Sequence, residues 1–171
     1  MNRLVLIAVL LVGATARGDI LDSVKQQAAD KAKGTANKAI VDKVNKKLLD
    51  EGRQNQCAFK VDSDELAPGC DAKLKKLASG LIDGKKALAQ GGVSGFKFVV
   101  SGHTDSTGDP KHNKELSQKR AEAIAKEMVA RGVAKDEIVA VGMGFDKPLV
   151  KPDDTAAKKA KNRRYEIQVQ I

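Results

Sequence analysis

Aromatic residues and cysteines are scarce in this chain. Of its 171 residues 3% are aromatic, none is Trp, and only two are Cys. Nucleic-acid sites that stack bases need aromatic faces, so we expect no nucleic-acid partner. No Gly-rich turn ends in Lys-Ser or Lys-Thr before a helix, which excludes a phosphate-binding loop of that type.

Groups for catalysis are also few. A nucleophilic enzyme needs a Ser or Cys beside a base, and the only histidines are His103 and His112. The Gly-x-Ser-x-Gly elbow of many hydrolases is missing. Asp105 and Asp109 are possible metal ligands together with the histidines, but four ligands within one short loop would be unusual. We predict no catalytic residue, no metal site and no cofactor.

Positive charge is what the chain has in excess. Its formal net charge is +9, which favours an anionic partner such as a membrane surface or an acidic polymer. Apolar residues make up 42% of the chain, enough for a hydrophobic core. The length suits one domain with an extension.

The N-terminus has the features of a secretory signal. Arg3 precedes an apolar run from Leu4 to Val12, and small residues follow up to Ala16. The run is short for a membrane span. We predict a signal peptide over residues 1–16, cleaved after Ala16 or, as an alternative, after Gly18; an uncleaved anchor is the other interpretation.

Export changes the interpretation of Cys57 and Cys70. In an oxidising compartment an even number of cysteines is most simply a disulfide, and we predict one between these two residues. Two separately buried thiols are the alternative. Their spacing excludes a redox Cys-x-x-Cys motif.

Residues 17–56 read as an amphipathic helical extension. Gly34 and Thr35 interrupt the pattern, which predicts one broken helix or two short ones. This segment could pack on the main domain, pair with a second copy or lie on a membrane, but we favour a solvated spacer because the apolar stripe is thin. The stripe consists of Val24, Ala28, Ile40, Val41, Val44 and Leu48.

Residues 57–171 alternate between strand and helix patterns. We predict a βαβαβαβ order, an α/β (α+β) sandwich with one mixed sheet that carries its helices on one face. The last strand, which ends at Ile171, is expected inside the sheet. The predicted strands lie near 59–61, 96–100, 138–141 and 164–171, and the helices begin near Asp71, Asn113 and Thr155.

Two charged residues are placed to bind a ligand. Asp105 follows the second strand, and Arg120 lies in the helix after the loop. A carboxylate can hold an ammonium group and a guanidinium can grip a carboxylate, so the pair could bind an amino acid group. A salt bridge between Asp105 and Arg120 themselves is equally compatible with the spacing. His103 is interpreted as a structural residue whose hydrogen bonds hold the loop.

The run Gly-His-Thr-Asp-Ser-Thr-Gly at 102–108, followed by Asn113, Leu-Ser at 116–117 and Arg-Ala at 120–121, resembles the OmpA-like C-terminal domain shared with Pal and MotB. The glycine-rich turn 142–148, the Asn-Arg-Arg run 162–164 and the segment 59–66 also match this family. The resemblance extends over residues 57–171.

The resemblance implies binding of the peptide stem of peptidoglycan. Asp105 and Arg120 match the family positions that hold the amino acid end of diaminopimelate. Asn113 and Leu116 match positions that shape the pocket, and Asp62 one that borders it. Arg163 and Arg164 are expected to support the site, by hydrogen bonding or by pairing with loop carboxylates, with the division of these roles between them left open.

From these observations the sequence predicts a periplasmic wall tether or adaptor, with a possible association with the outer membrane. Peptidoglycan is the expected partner, and residues 19–56 could contact an outer-membrane protein or a second copy. The alternative is an assembly component of an envelope secretion or motility complex that keeps the fold without binding the wall.

Overall fold

In this computed structural model the backbone is described from residue 6 to residue 171, and the side chains at residue 23 and from residue 25 onward. The predicted signal peptide, 1–16, lies outside the described side chains and stays a prediction. The chain forms two compact units, one ending at Ala39 and the other spanning Ile40–Ile171. The elements are α1 (Leu6–Gln54), α2 (Asp71–Gln90), β1 (Lys97–His103), α3 (Pro110–Ala130), a 3-10 turn (Lys135–Glu137), β2 (Ile138–Gly142), α4 (Ala156–Asn162) and β3 (Arg164–Gln170).

Residues 25–39 of α1 are helical throughout, and all their side chains are exposed except the half-buried Asn37. The predicted break at Gly34 is therefore wrong. The Thr35 hydroxyl donates to the Lys31 carbonyl at 2.9 Å, a bond that the helix accommodates. A single exposed Gly weakens a helix by about 1 kcal/mol, which need not end it. Within the described residues, no helix combines the length and the apolar character needed to cross a membrane.

The last turns of α1 belong to the hydrophobic core of the second unit. Val41, Val44 and Leu48 are buried there, and their spacing places them on one helical face. A Cβ on Gly84 of α2 would lie 3.1 Å from a methyl carbon of Val44, so the two helices approach closely. The compact unit thus begins at Ile40, well before Cys57, where the sequence placed the start of the domain.

The sheet has three strands in the order β2-β1-β3. β1 runs parallel to β2 and antiparallel to β3. The predicted first strand is wrong, since Phe59 forms only an isolated bridge with Leu66. The predicted interior position of the last strand is also wrong, because β3 lies at the edge. The α+β fold with an N-terminal helix is confirmed.

Side-chain amides occupy the open edge of β3 where a further strand would lie. Asn45 accepts from the Val169 amide at 2.6 Å and donates to its carbonyl at 3.1 Å. Gln56 does the same for Tyr165, at 3.2 and 2.8 Å. The Tyr165 hydroxyl donates to the Asn55 carbonyl at 2.7 Å. These bonds satisfy edge groups that would otherwise be unpaired, which explains why no strand is needed there.

α3 packs on β1 and β2 through two glycines. A Cβ on Gly102 would lie 2.1 Å from the Ser117 carbonyl oxygen, and one on Gly142 would lie 2.5 Å from the Gln118 nitrogen. Only glycine allows this approach of helix to sheet. It fixes the position of α3 against the strand that leads into the polar loop.

Cys57 and Cys70 are both buried and are free thiols in this structure, so the predicted disulfide is absent from it. The Cys57 thiol instead donates to the Cys70 carbonyl at 3.8 Å. Burial raises the pKa of Cys57 to about 12, which keeps it as an uncharged thiol at neutral pH. This arrangement corresponds to the alternative of two buried thiols, and the disulfide stays a prediction for an oxidising compartment.

Candidate functional site

A pocket of about 670 Å³ lies between the end of β1, the first turns of α3 and the segment 56–62. Its volume is within the range of small-ligand sites. The sequence-predicted binding residues all line this pocket: Asp62, Asp105, Asn113, Leu116, Arg120, Arg163 and Arg164.

Asp105 is a buried charge in the pocket, with 9% of its surface exposed. One carboxylate oxygen accepts from Arg163 Nη1 at 2.7 Å. The other accepts from the Thr107 amide at 3.0 Å. Burial alone would raise the pKa of Asp105, but the hydrogen bonds from Arg163 and Thr107 outweigh it and hold the pKa below its usual value. The group is therefore a carboxylate at neutral pH.

Arg120 reaches across to the segment 59–63. Its Nε donates to the Ser63 carbonyl at 2.9 Å and its Nη2 to the Lys60 carbonyl at 3.3 Å. The guanidinium carbon lies 5.1 Å from the centre of the Phe59 ring, within the range of a cation–π contact. Burial lowers the pKa of Arg120, but an arginine remains charged.

Asp105 and Arg120 do not form a salt bridge with each other in this structure, because Asp105 pairs with Arg163. Among the described residues, no carboxylate forms an ion pair with Arg120, and its Nη1 has no hydrogen-bond partner. The end of this guanidinium is therefore available to a ligand carboxylate. The sequence left open whether Asp105 and Arg120 bind a ligand or form a salt bridge with each other. In this structure they do not form that salt bridge.

The two neighbouring arginines have different roles. Arg163 is 47% exposed at its side chain and neutralises Asp105. Arg164 is only 9% exposed and pairs with Glu166 at 2.7 Å. It also donates to the Lys147 carbonyl at 3.1 Å, which holds the preceding turn. Arg163 thus pairs with the Asp105 carboxylate of the polar loop, whereas Arg164 holds the turn at Lys147.

Asp153 anchors the polar loop, and sequence reasoning missed it. It accepts from the Ser106 amide at 2.9 Å and from the Ser106 hydroxyl. Asn162 donates to it at 3.0 Å. The bonds from Ser106 and Asn162 lower the pKa of Asp153 to about 2. A single Asp in a loop has no recognisable sequence pattern. Asp153 is also far from Ser106 along the chain, so the sequence did not indicate their contact.

Asp62 borders the pocket in a left-handed backbone conformation, with φ of 51°. Its carboxylate lies 2.6 Å from His112 Nε2, which links the segment 56–62 to the start of α3. Asn113 donates to the Thr107 carbonyl at 2.8 Å. These contacts define the rim of the pocket.

His103 differs from its predicted role. It is 3% exposed, but neither ring nitrogen has a hydrogen-bond partner among the described residues. The loop is held by Asp153 instead. Burial lowers the pKa of His103 to about 4, so the ring is neutral at pH 7. In the described part of the chain, no group of three or more His, Cys, Asp or Glu residues could hold a metal ion.

The segment 56–61 is the part of the pocket that the sequence did not indicate. Gln56, Cys57, Phe59 and Val61 line it, and Val61 is 96% exposed. No sequence pattern marked Val61 as exposed. The alternation of Phe59 and Val61 pointed to a strand instead.

Comparisons with known proteins identify the family of this chain and its fold. A model of the OmpA family matches residues 58–163. The outer-membrane lipoprotein YfiB of Pseudomonas aeruginosa is 32% identical over 135 residues, covering 77% of this chain and 74% of that protein. The peptidoglycan-binding protein ArfA of Mycobacterium tuberculosis is 44% identical over 73 residues, 43% of this chain and only 22% of that protein.

Among solved structures, the peptidoglycan-associated lipoprotein of Burkholderia pseudomallei superimposes with a TM-score of 0.55 at 28% identity, covering 67% of this chain and 89% of that one. This chain belongs to the OmpA family. The predicted resemblance is confirmed.

Proposed function

We propose that this protein binds the stem peptide of peptidoglycan without catalysis, as a tether or adaptor in the periplasm. The observation that supports this most is the placement of Asp105 and Arg120 in one pocket without a salt bridge between them. A ligand that carries an ammonium and a carboxylate satisfies both groups.

Diaminopimelate in the stem is such a ligand. Its free side-chain end is itself an amino acid group, and it can place the ammonium at Asp105 and the carboxylate at Arg120. Because Nε and Nη2 of Arg120 already donate to the Ser63 and Lys60 carbonyls, the carboxylate meets the end of the guanidinium. The names of ArfA and of the B. pseudomallei lipoprotein refer to peptidoglycan, which supports this choice of polymer.

A lysine-type stem lacks the second carboxylate and should bind less tightly. A charge-assisted hydrogen bond contributes about 1.5–3 kcal/mol, so we expect at least a tenfold difference in Kd between the two stem types. Competition of each stem peptide with labelled muropeptide measures this ratio. Equal affinities would contradict the proposal that Arg120 binds the second carboxylate of diaminopimelate.

Co-sedimentation with purified sacculi tests the function itself. Wild type should pellet with sacculi, and Asp105→Ala or Arg120→Ala should stay in the supernatant. Lys126→Ala, an exposed position of α3 outside this pocket, is the matched control and should pellet like wild type. Undiminished binding by both site variants would contradict the site, and no binding by wild type would favour the alternative role in envelope assembly.

The predicted signal and the family support the proposed location and the proposed tether role. YfiB and the B. pseudomallei protein are named as lipoproteins, YfiB of the outer membrane. The exposed helical residues 25–39 suit a spacer, and contact of residues 19–56 with an outer-membrane protein or a second copy is part of the proposal. Fractionation of the expressing cells, with and without residues 1–16, tests the location.

A further inference from the structure

A second pocket, of about 290 Å³, adjoins the first one. Both pockets are lined by Gln56, Ala160, Arg163 and Arg164. A ligand seated in the first pocket can therefore extend into the second across Arg163 without leaving the protein surface. The volume is at the lower limit for ligand sites and suits one or two small residues.

The second pocket has apolar side chains in its lining, Leu49, Leu149 and Ile167. Leu149 is 51% exposed, although its amide is fixed by a bond to the Asn162 carboxamide at 2.8 Å. A large apolar side chain that is open to solvent can contact methyl groups of a ligand.

Lys161 supplies a positive charge at this pocket. The other cations that line it are engaged: Arg53 with Asp50 at 3.9 Å, Arg163 with Asp105 and Arg164 with Glu166 at 2.7 Å each. Among the described residues, no ion-pair partner is found for Lys161, which is exposed. It is the cation left for a ligand carboxylate.

We infer that the second pocket binds the alanine end of the same stem peptide, with methyl groups against Leu49 and Leu149 and the terminal carboxylate at Lys161. This inference rests on the proposed function, since diaminopimelate must occupy the first pocket. An apolar surface next to an unpaired cation matches a segment with methyl side chains and a free carboxylate.

Calorimetry with two peptides tests this inference on the full chain. One is the tripeptide that ends in diaminopimelate, and the other is the pentapeptide that continues with two D-alanines. Wild type should bind the pentapeptide about tenfold more tightly, from two methyl contacts and one exposed ion pair.

Leu149→Ser and Lys161→Gln should each reduce this preference to about threefold or less. Both variants should bind the tripeptide like wild type, which also shows that they are folded. Lys159→Gln, on the same helix but outside the pocket, is the matched control and should retain the full preference.

Equal affinities of wild type for the two peptides would overturn the inference, as would an unchanged preference in both variants. If the tripeptide binds in a manner that requires Asp105 but the pentapeptide gains nothing, only the second pocket is refuted. If wild type binds neither peptide, the proposed function itself fails.

Discussion

The two sides of the ligand pocket are built in different ways. The strand–helix wall, residues 102–120, consists of the end of β1, a loop anchored by Asp153 and the first half of α3. The loop wall, residues 56–66, contains one isolated bridge between Phe59 and Leu66. It is held to the rest by side chains that bond to backbone groups, among them Gln56 and Arg120.

The difference concerns how each wall keeps its shape. The strand–helix wall depends on close backbone packing at Gly102, so small changes in volume should disturb it strongly. The loop wall depends on a few hydrogen bonds, each of which contributes about 1 kcal/mol. Changes there should be smaller and more local. Substitutions in the two walls can establish or refute this contrast.

The largest effect is expected for Gly102→Ala in the strand–helix wall. The new Cβ would clash with the Ser117 carbonyl oxygen, so the free energy of unfolding should fall by about 3 kcal/mol. Urea denaturation measures it. Gly34→Ala, where nothing lies within 4 Å of the added atom, is the control and should not destabilise the protein. A loss below 1 kcal/mol for Gly102→Ala would mean that helix and sheet adjust easily.

In the loop wall, Gln56→Ala should lower the free energy of unfolding by about 2 kcal/mol. The substitution leaves the Tyr165 amide and carbonyl unpaired at the edge of β3. The same denaturation series reports it, with the exposed neighbour Gln54→Ala expected to change little. Equal stability of both variants would show that water replaces the amide of Gln56 without loss.

The third prediction concerns pH and the strand end at His103. The pKa of His103 is about 4 in the folded protein, and its ordinary value is 6.5. Between pH 4 and pH 6.5 the unfolded chain therefore binds more protons than the folded one. Stability should therefore fall by about 3 kcal/mol as the pH falls from 6.5 to 4. The lowered pKa values of Asp105 and Asp153 affect the free energy of unfolding at lower pH.

Replacing His103 by Phe should flatten the dependence in this window, measured by urea denaturation at several pH values. His112→Gln, at an exposed position, is the control for a contribution of the other histidine to this pH dependence. A slope that His103→Phe leaves unchanged would mean that another group titrates there.

The smallest effect on stability is expected at Val61 in the loop wall. Its side chain is 96% exposed, so Val61→Ser should change the free energy of unfolding by less than about 0.5 kcal/mol. Because Val61 lines the pocket, the same variant should still weaken binding to sacculi by a few-fold. Unchanged binding together with unchanged stability would place Val61 outside the ligand's path.

The contrast between the walls also explains what the sequence could predict. Helix α3 and strands β1 to β3 have regular apolar periodicity, and the Gly-His-Thr-Asp motif lies between them. The positions of Asp105 and Arg120 in one pocket could therefore be predicted, and that of Asn113 followed from the family resemblance. Regular elements constrain every residue in them, so a pattern of a few residues places many others.

The loop wall and the edge of β3 could not be predicted in this way. Phe59 and Val61 alternate like a strand, but Asn45 and Gln56 bind the edge of β3 that such a strand would need. Likewise, the sequence predicted that Arg163 or Arg164 could pair with a loop carboxylate, but not that Arg163 is the partner of Asp105. Both outcomes depend on contacts between residues far apart in the chain, and such contacts leave no periodic signal in a sequence.

The continuation of α1 into the second unit affects how this domain can be excised. The family match begins at residue 58, which suggests a fragment starting at Cys57. Such a fragment would lack Val41, Val44 and Leu48 from its core and would uncover the edge of β3. An unprotected strand edge beside exposed apolar surface favours aggregation. Any isolated version of this domain therefore has to keep the chain from Ile40 onward to remain soluble and monodisperse.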